Sequence, residues 1–237
     1  MNGFAKCAAI VLLTLSPVMA ADPATFESIY AEQDAALQLD PVSAFWNASS
    51  IAYIEKDSFG NSVPAYRTEV RARWTSKNLY LLFVCPYKQL HLKPNPTTQQ
   101  ETNQLWNWDV AEAFIGSDFA DIQRYKEFEV SPQGEWVDLD INLHSPHHED
   151  GWTWNSGFEA LAKIDARKHV WYAAMRIPFS AIDTRPPASG NTLRLNLFRS
   201  GGPRSHPYGL AWQPPMSKTF HTPERFGLLK LVKKGER

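Results

Sequence analysis

Residues 66–85, YRTEVRARWTSKNLYLLFVC, decide the fold class because their apolar positions follow the period of a β-strand. Val70, Ala72 and Trp74 alternate with charged residues, which is typical of a strand with one buried face. The run NLYLLFVC that follows has the composition of a strand buried on both faces. TSKN, between the two, is typical of a type I turn. The stretch therefore predicts an antiparallel hairpin.

The same period of two recurs downstream, without a long helical pattern or an internal repeat. The segments that show it are DVAEAFIG (109–116), RYKEFEVSP (124–132), EWVDLDINL (135–143), HVWYAAMRIPFSAI (169–182), TLRLNLFRSGG (192–202) and FGLLKLVKK (226–234). Many short strands separated by turn residues predict an all-β protein. We expect one antiparallel β-sandwich of the jelly-roll or immunoglobulin-like kind, with two packed sheets.

The N-terminus has the pattern of a secretory signal. Lys6 precedes the apolar stretch 7–20, CAAIVLLTLSPVMA, and small residues at 18–20 offer a cleavage site. We therefore predict a signal peptide at 1–20, a lead-in at 21–36, a sandwich domain at 37–233 and a tail at 234–237. The lead-in is interpreted as extended. The mature protein is expected to be secreted or periplasmic, with no membrane contact once the signal is removed.

Composition narrows the function classes. The 237-residue chain has a formal net charge of −1, which does not favour a nucleic-acid partner. Cleavage after residue 20 would remove Cys7 and leave Cys85 without a disulfide partner. Cys85 follows an apolar run, so we interpret it as a buried structural thiol.

The stretch 105–114, LWNWDVAEAF, carries the first candidate site. A sugar presents flat faces of C–H bonds and a rim of hydroxyls, so its site needs an aromatic plate and hydrogen-bonding groups. Trp106 follows a long polar loop, and Asp109 and Glu112 come shortly after it. If the segment is extended, Trp106 and Trp108 point to the same side. Core packing of both tryptophans is the alternative, since the chain contains nine.

Two pairs of carboxylates form a second candidate. Glu127 and Glu129, like Asp138 and Asp140, are two apart and would share a strand face roughly 6.5–7 Å apart. That spacing permits a glycoside hydrolase, whose carboxyls lie about 5–9.5 Å apart, and it equally permits a Ca²⁺ site. The preferred interpretation is a solvated face, with Phe128, Val130, Val137, Leu139 and Ile141 turned to the core. No third acidic residue is in step along these strands.

Other chemistry has weaker support. The loop HSPHHEDGW (144–152) offers histidines and acids, but their spacing matches no common zinc pattern, so a solvated loop is the preferred interpretation. A heme site would require Met or His ligands on a pocket wall, and Met175 and Met216 qualify only by residue type. The chain lacks a GxSxG nucleophile motif.

Taken in order, several segments resemble the family 9 carbohydrate-binding module and its family 9-like relatives. These segments span about residues 28 to 233 and are LQLDPVSAFW, RARWTSKNLYLLFVC, LWNWDVAEAFIG, YKEFEVSPQGEWVDLDI, WYAAMRIPFSAI, LRLNLFRS and FHTPERFGLLKL. The resemblance implies a β-sandwich with a sugar slot between two tryptophans. It also implies structural Ca²⁺ in some members.

The resemblance assigns roles to individual residues. In the family pattern W-x-x-D-x-x-E-x-F, the Trp is one plate of the slot and the Glu contacts the sugar. Trp106, Asp109 and Glu112 match these positions, with Phe114 as the core residue. The second family tryptophan aligns with Phe220, a smaller plate. A family arginine aligns with Glu129, so an acceptor replaces a forked donor.

The sequence therefore predicts a non-catalytic protein that binds an oligo- or polysaccharide. Trp106 and Phe220 would form the walls, and Glu112, Asp109, Glu129 and His221 would contact hydroxyls. No cofactor is required, although structural Ca²⁺ is compatible with the resemblance. The protein would support polysaccharide catabolism, and a carbohydrate-active enzyme in trans is a candidate partner. The alternatives are a glycoside hydrolase or lyase that uses the paired carboxylates, and a heme- or protein-binding relative.

Overall fold

The computed structural model describes residues 23–203 and 205–235. The predicted signal peptide at 1–20 lies outside these ranges, as do the last two residues of the predicted tail. Within the described residues, no helix is long and apolar enough to cross a membrane.

Thirteen strands, two short α-helices and four 3₁₀ helices make up the regular structure of the described chain. The strands are β1 (Thr25–Tyr30), β2 (Ser50–Ile54), β3 (Lys56–Asp57), β4 (Thr68–Trp74), β5 (Asn78–Pro86), β6 (Val110–Gly116), β7 (Arg124–Val130), β8 (Trp136–Asn142), β9 (Glu159–Asp165), β10 (Val170–Pro178), β11 (Thr192–Gly201), β12 (Tyr208–Ala211) and β13 (Gly227–Val232). The helices are α1 (Ala44–Asn47) and α2 (Phe179–Ile182). The all-β prediction is confirmed.

The strands join into one continuous sheet, which corrects the expectation of two separate sheets. Its order is β8-β7-β6-β11-β13-β1-β4-β5-β10-β9, with β2, β3 and β12 attached at its sides. The link is β1, which pairs in parallel with both β13 and β4. The sheet is therefore not purely antiparallel either. The sequence pattern missed this because β1 lies within the segment predicted as a lead-in.

The hairpin that decided the fold class is confirmed. β4 and β5 pair antiparallel from Glu69 opposite Val84 to Trp74 opposite Leu79. The intervening turn is closed by Thr75, whose N–H donates to the carbonyl of Asn78 at 2.9 Å. The other alternating segments form β6, β7, β8, β10, β11 and β13. Cys85 is buried, as predicted.

The sheet curls so that its two halves share one apolar core. Phe83 of β5, Trp171 of β10, Phe128 of β7 and Leu195 of β11 all belong to the same buried cluster. The face of β6, β7, β8 and β11 that points into this core is called the inner face below.

The opposite face of β6, β7, β8 and β11, called the outer face, is also covered. Loops deliver Leu105, Phe220 and Phe226 onto it, where a second apolar cluster forms. Val137, Leu139 and Ile141 belong to this second cluster. Their expected packing beside Phe128 and Val130 is therefore wrong, because the register of β7 and β8 turns the two sets to opposite faces. The candidate site lies on this outer face.

Candidate functional site

A cavity of about 580 Å³ opens on the outer face. Its floor comes from β6, β7, β8 and β11, and its walls come from the loops that cover the sheet. The lining residues are Gln104, Trp106, Glu112, Phe114, Glu127, Leu139, Ile141, His148, Glu149, Ser200, Lys218, Thr219, Phe220 and His221. Its volume lies within the range of small-molecule sites, about 300–1,000 Å³.

Trp106 reaches the cavity because its segment is not extended. Residues Leu105–Asn107 form a single 3₁₀ turn, entered through Gln104 in the left-handed region with φ of 60°. Leu105 is buried beneath the turn, while Trp106 is partly exposed and lines the cavity. Trp108 instead stacks on His91, with ring centroids 4.5 Å apart. The two tryptophans therefore have different neighbours.

Phe220 is held in place by the sheet below it. Its ring stacks on Phe198 of β11, with centroids 4.2 Å apart and planes 8° from parallel. Gly209 of β12 leaves room for this position, since a Cβ there would lie 2.9 Å from Cζ of Phe220. One face of the Phe220 ring is thus covered, and the ring is fixed as a cavity wall before any ligand binds.

His221 sits against the same floor. Its ring stacks on Phe114 at 5.3 Å, and its Nδ1 lies 2.5 Å from the hydroxyl of Tyr125. The ring of His148 approaches it edge-on at 4.4 Å. Burial, together with the neighbouring His148, lowers the pKa of His221 to about 4. His221 is therefore a neutral polar group at physiological pH.

Asp109 does not line the cavity. It is fully buried, and its Oδ1 accepts a hydrogen bond of 2.6 Å from the N–H of Gly202. Burial raises the pKa of Asp109, against the opposing effects of this hydrogen bond and the charge of Arg199. The structure thus places Asp109 where it ties the start of β6 to the end of β11, behind the segment that presents Trp106.

Three glutamates lie together at the floor. Glu112 of β6 and Glu129 of β7 are direct partners across the two strands, and Glu127 is on the same face next to Phe114. Oxygen atoms of all three lie within 4.8 Å of one another. The prediction of a solvated face is wrong, because Glu127 is 4% exposed and Glu129 is 0% exposed. The third acid was missed because Glu112 comes from the neighbouring strand.

Burial and crowding make these carboxyls hard to ionise. Burial and the nearby Glu127 raise the pKa of Glu112 to about 8, although a 2.7 Å hydrogen bond from the Ser200 hydroxyl opposes the shift. Burial also raises the pKa of Glu127 to about 7. The pKa of Glu129 is raised well above its ordinary value by burial and by the charges of Glu112 and Glu127. Glu129 lies beneath the cavity and is not among its lining residues.

The other predicted carboxylate pair is separated from this floor. Asp138 and Asp140 project to the opposite face of β8, where Asp138 is buried and accepts 2.7 Å from the N–H of Ser156. Asp140 is exposed and paired with Lys126 at 2.6 Å. These two acids therefore cannot act with Glu127 and Glu129 in one cleft.

The loop HSPHHEDGW divides between surface and site. His144 is exposed and lies 2.9 Å from Asp121, and His147 is largely exposed, as a solvated loop requires. His148 and Glu149, however, line the cavity. The structure does not support the heme interpretation. Met175 is buried in the core, and Met216 is 50% exposed at the surface.

The sequence did not predict several of the cavity residues. Loop and strand positions contribute polar groups that no motif marked, namely Gln104, Ser200, Lys218 and Thr219. The one sequence feature that these residues share is that each lies near a predicted site residue or a strand end.

Comparison with protein families identifies the relatives of this chain. The model for "Carbohydrate family 9 binding domain-like" matches residues 40–234. The chain belongs to this family. The resemblance seen in the sequence is therefore confirmed.

Similar proteins and solved structures extend the comparison. The family 9-like chain is 26% identical over 182 residues to a protein called "Extracellular protein" from Arthroderma benhamiae, covering 71% of this chain and 80% of that one. A family 9 carbohydrate-binding module from Caldicellulosiruptor kristjanssonii, solved with cellotriose, superposes with a TM-score of 0.62 at 14% identity, over 90% of this chain and 96% of that one. Its glucose complex superposes with a TM-score of 0.63 at 14% identity, over 90% and 98%. The fold of this chain is thus that of a family 9 module.

Proposed function

We propose that this protein is an exported, non-catalytic carbohydrate-binding protein whose site is the outer-face cavity. The observation that carries the proposal is one cavity that has an aromatic side chain on two separate loops, Trp106 and Phe220, above a floor of acceptors. Such a site suits a ring with an apolar face and a hydroxyl rim. Membership of the family supports it.

Each residue has a role that follows from its position. Trp106 and Phe220 stack on the faces of one sugar ring. Glu112 accepts a hydrogen bond from a sugar hydroxyl and is itself oriented by Ser200. His221, neutral and fixed by Tyr125, exchanges a hydrogen bond with the rim. Asp109 positions the segment of Trp106 and makes no direct contact, while Glu129 supports Glu112 from below.

The ligand class proposed is a β-linked glucose oligo- or polysaccharide. Its support is that the structural relatives were solved with cellotriose and with glucose. Phe220 presents less area than tryptophan, so we expect weaker stacking on that wall. The protein would act outside the cytoplasm, in the medium or the periplasm, which the extracellular relative supports. Binding would hold substrate for a carbohydrate-active enzyme acting in trans.

Glycoside hydrolysis is the second candidate, favoured by two acids with raised pKa values in a cavity. A glycosidase needs its acid and its base or nucleophile on either side of the scissile bond. Glu112, Glu127 and Glu129 crowd together on one floor, with their oxygens within 4.8 Å. That arrangement suits binding better than bond cleavage.

Calorimetric titration tests the proposal. We expect heat of binding with at least one of glucose, cellobiose, xylo-oligosaccharides and chitobiose, and at least a tenfold weaker affinity in Trp106→Ala, about 1.4 kcal/mol. Incubation with aryl β-glucosides and cello-oligosaccharides, followed by product analysis, tests the second candidate. The proposal fails if no sugar binds more tightly than about millimolar, or if Trp106→Ala binds as well as the natural protein.

A further inference from the structure

The floor of the cavity has the composition of a cation site. Glu112, Glu127 and Glu129 each offer one carboxylate oxygen, and these oxygens lie within 4.8 Å of one another. Two Ca²⁺–oxygen bonds placed end to end span about 4.6–5.2 Å, so one ion can touch all three. The three acids stand on adjacent paired strands, which fixes their spacing.

The acids lack the partners that buried carboxylates normally have. Among the described residues, the oxygens of Glu129 and Oε2 of Glu127 have no hydrogen-bond partner other than the carboxyls of each other. Glu129 is fully buried, and the charges that act on it come from Glu112 and Glu127. Buried acceptors are almost always satisfied, and buried charges are paired or coordinate metals. The unpartnered oxygens therefore point to a positive ligand.

The cavity gives an ion access to the acids, and a hydrogen bond orients one of them. Glu112 and Glu127 line the open cavity, so an ion can enter from solvent and retain water molecules on that side. Ser200 donates to Oε1 of Glu112 at 2.7 Å, which is the kind of contact that orients a metal ligand. All three donors are carboxylate oxygens, the donors that Ca²⁺ and Mn²⁺ prefer and that soft metals do not select.

We propose that Glu112, Glu127 and Glu129 bind a divalent, oxygen-preferring cation such as Ca²⁺ at the floor of the cavity. The ion neutralises the buried carboxylates and leaves coordination positions that face the cavity. This inference does not rest on sugar binding, because the probe is the metal alone.

The experiment is calorimetric titration of EDTA-treated, dialysed full-length mature protein with CaCl₂ and with MnCl₂, without sugar. We expect one site per chain, with affinity at least as tight as that of extracellular Ca²⁺ modules, about 0.1–1 mM. Glu129→Gln keeps the shape of the side chain and removes a ligand charge, so it should bind at least tenfold more weakly. Asp140→Asn, an exposed carboxylate on the opposite face, is the matched control and should bind as the natural protein does.

Two further measurements keep the test decisive if Glu129→Gln fails to fold. Glu112→Gln should show the same loss, with folding checked by far-UV circular dichroism. In the natural protein, Tb³⁺ luminescence excited through tryptophan should appear on binding beside Trp106 and vanish when Ca²⁺ displaces it. The proposal is overturned if no metal binds within the millimolar range, or if Asp140→Asn loses as much affinity as the floor variants. Sugar binding that persists without metal would leave the proposed function standing.

Discussion

The two faces of β6 and β7 are built from the same strands and differ in what they bury. On the inner face, Ala111, Ala113, Phe128 and Val130 pack into the shared apolar core. On the outer face, the alternate positions carry three glutamates and Phe114 beneath loops. The comparison teaches that both faces of a sheet can be buried for different reasons. Here the inner face forms the apolar core, and the outer face forms the floor of the site. Each prediction below tests that division.

The largest effect is expected on the inner face. Phe128→Ala removes a fully buried ring from the core and should lower the free energy of unfolding by about 3–5 kcal/mol. Urea denaturation, monitored by tryptophan fluorescence, measures this loss of stability. Glu129→Gln, at the next residue of the same strand, changes the outer face instead and is the matched comparison. A loss as large as that of Phe128→Ala in this variant would contradict the division of faces.

The next effect is a pH dependence that belongs to the outer face. The pKa of Glu112 is about 8 and that of Glu127 about 7 in the folded state, above the ordinary value of 4.5. The unfolded chain therefore loses these protons first as pH rises. In EDTA, the free energy of unfolding should fall between about pH 4.5 and 8.

Replacing one floor acid should flatten that slope. Denaturant titrations at a series of pH values would compare the natural protein with Glu129→Gln, which removes one of the three buried carboxyls whose pKa is raised in the folded state. Asp140→Asn serves as the control because Asp140 is exposed on the other face. The account would be wrong if all three proteins showed the same slope over this pH window.

The strand pattern predicted much of the fold because a half-buried strand leaves a period of two in its sequence. It could not show that β6 and β7 are covered on both faces, because loops far away in sequence cover the outer one. For this reason Glu127 and Glu129 looked solvated. The sequence predicts β1 only as an extended lead-in, since its parallel pairing with β13 and β4 depends on distant partners.

The family resemblance predicted the site only in outline. Trp106, Glu112 and Phe220, assigned through a family resemblance, meet at one cavity with His221, the residue that follows Phe220. Asp109 is close in sequence but buried behind them, accepting from Gly202. A motif records which residues recur, and it does not distinguish a ligand contact from a group that holds the contact in place.

A smaller effect should follow from the close approach behind Phe220. Gly209→Ala would place a Cβ 2.9 Å from Cζ of Phe220, so the ring must move into or away from the cavity. We expect sugar affinity to fall about two- to tenfold, within the energy of one aromatic contact of about 0.5–1.5 kcal/mol. Calorimetry with glucose measures the affinity, and a thermal melt measures the effect of the substitution on stability. Unchanged affinity would show that the position of Phe220 does not matter to the ligand.

The smallest effect is expected at the exposed rim of the inner face. Lys126 pairs with Asp140 at 2.6 Å and lies 4.4 Å from the centroid of Trp154. Lys126→Met should lower the free energy of unfolding by no more than about 1 kcal/mol, because the pair is partly exposed to solvent. Added salt should shrink the difference in urea midpoint between the two proteins. A loss comparable to that of Phe128→Ala would contradict the assignment of stability to the apolar core.

The most direct test of the central claim is to watch the tryptophan indole N–H signals by NMR as glucose is added. The account predicts that the Trp106 signal, assigned by its loss in Trp106→Phe, shifts with saturation. The signal of Trp171, fully buried in the inner core, should stay in place. Movement of Trp136 and Trp152, which line a separate cavity, with Trp106 unmoved would contradict the outer-face cavity as the sugar site.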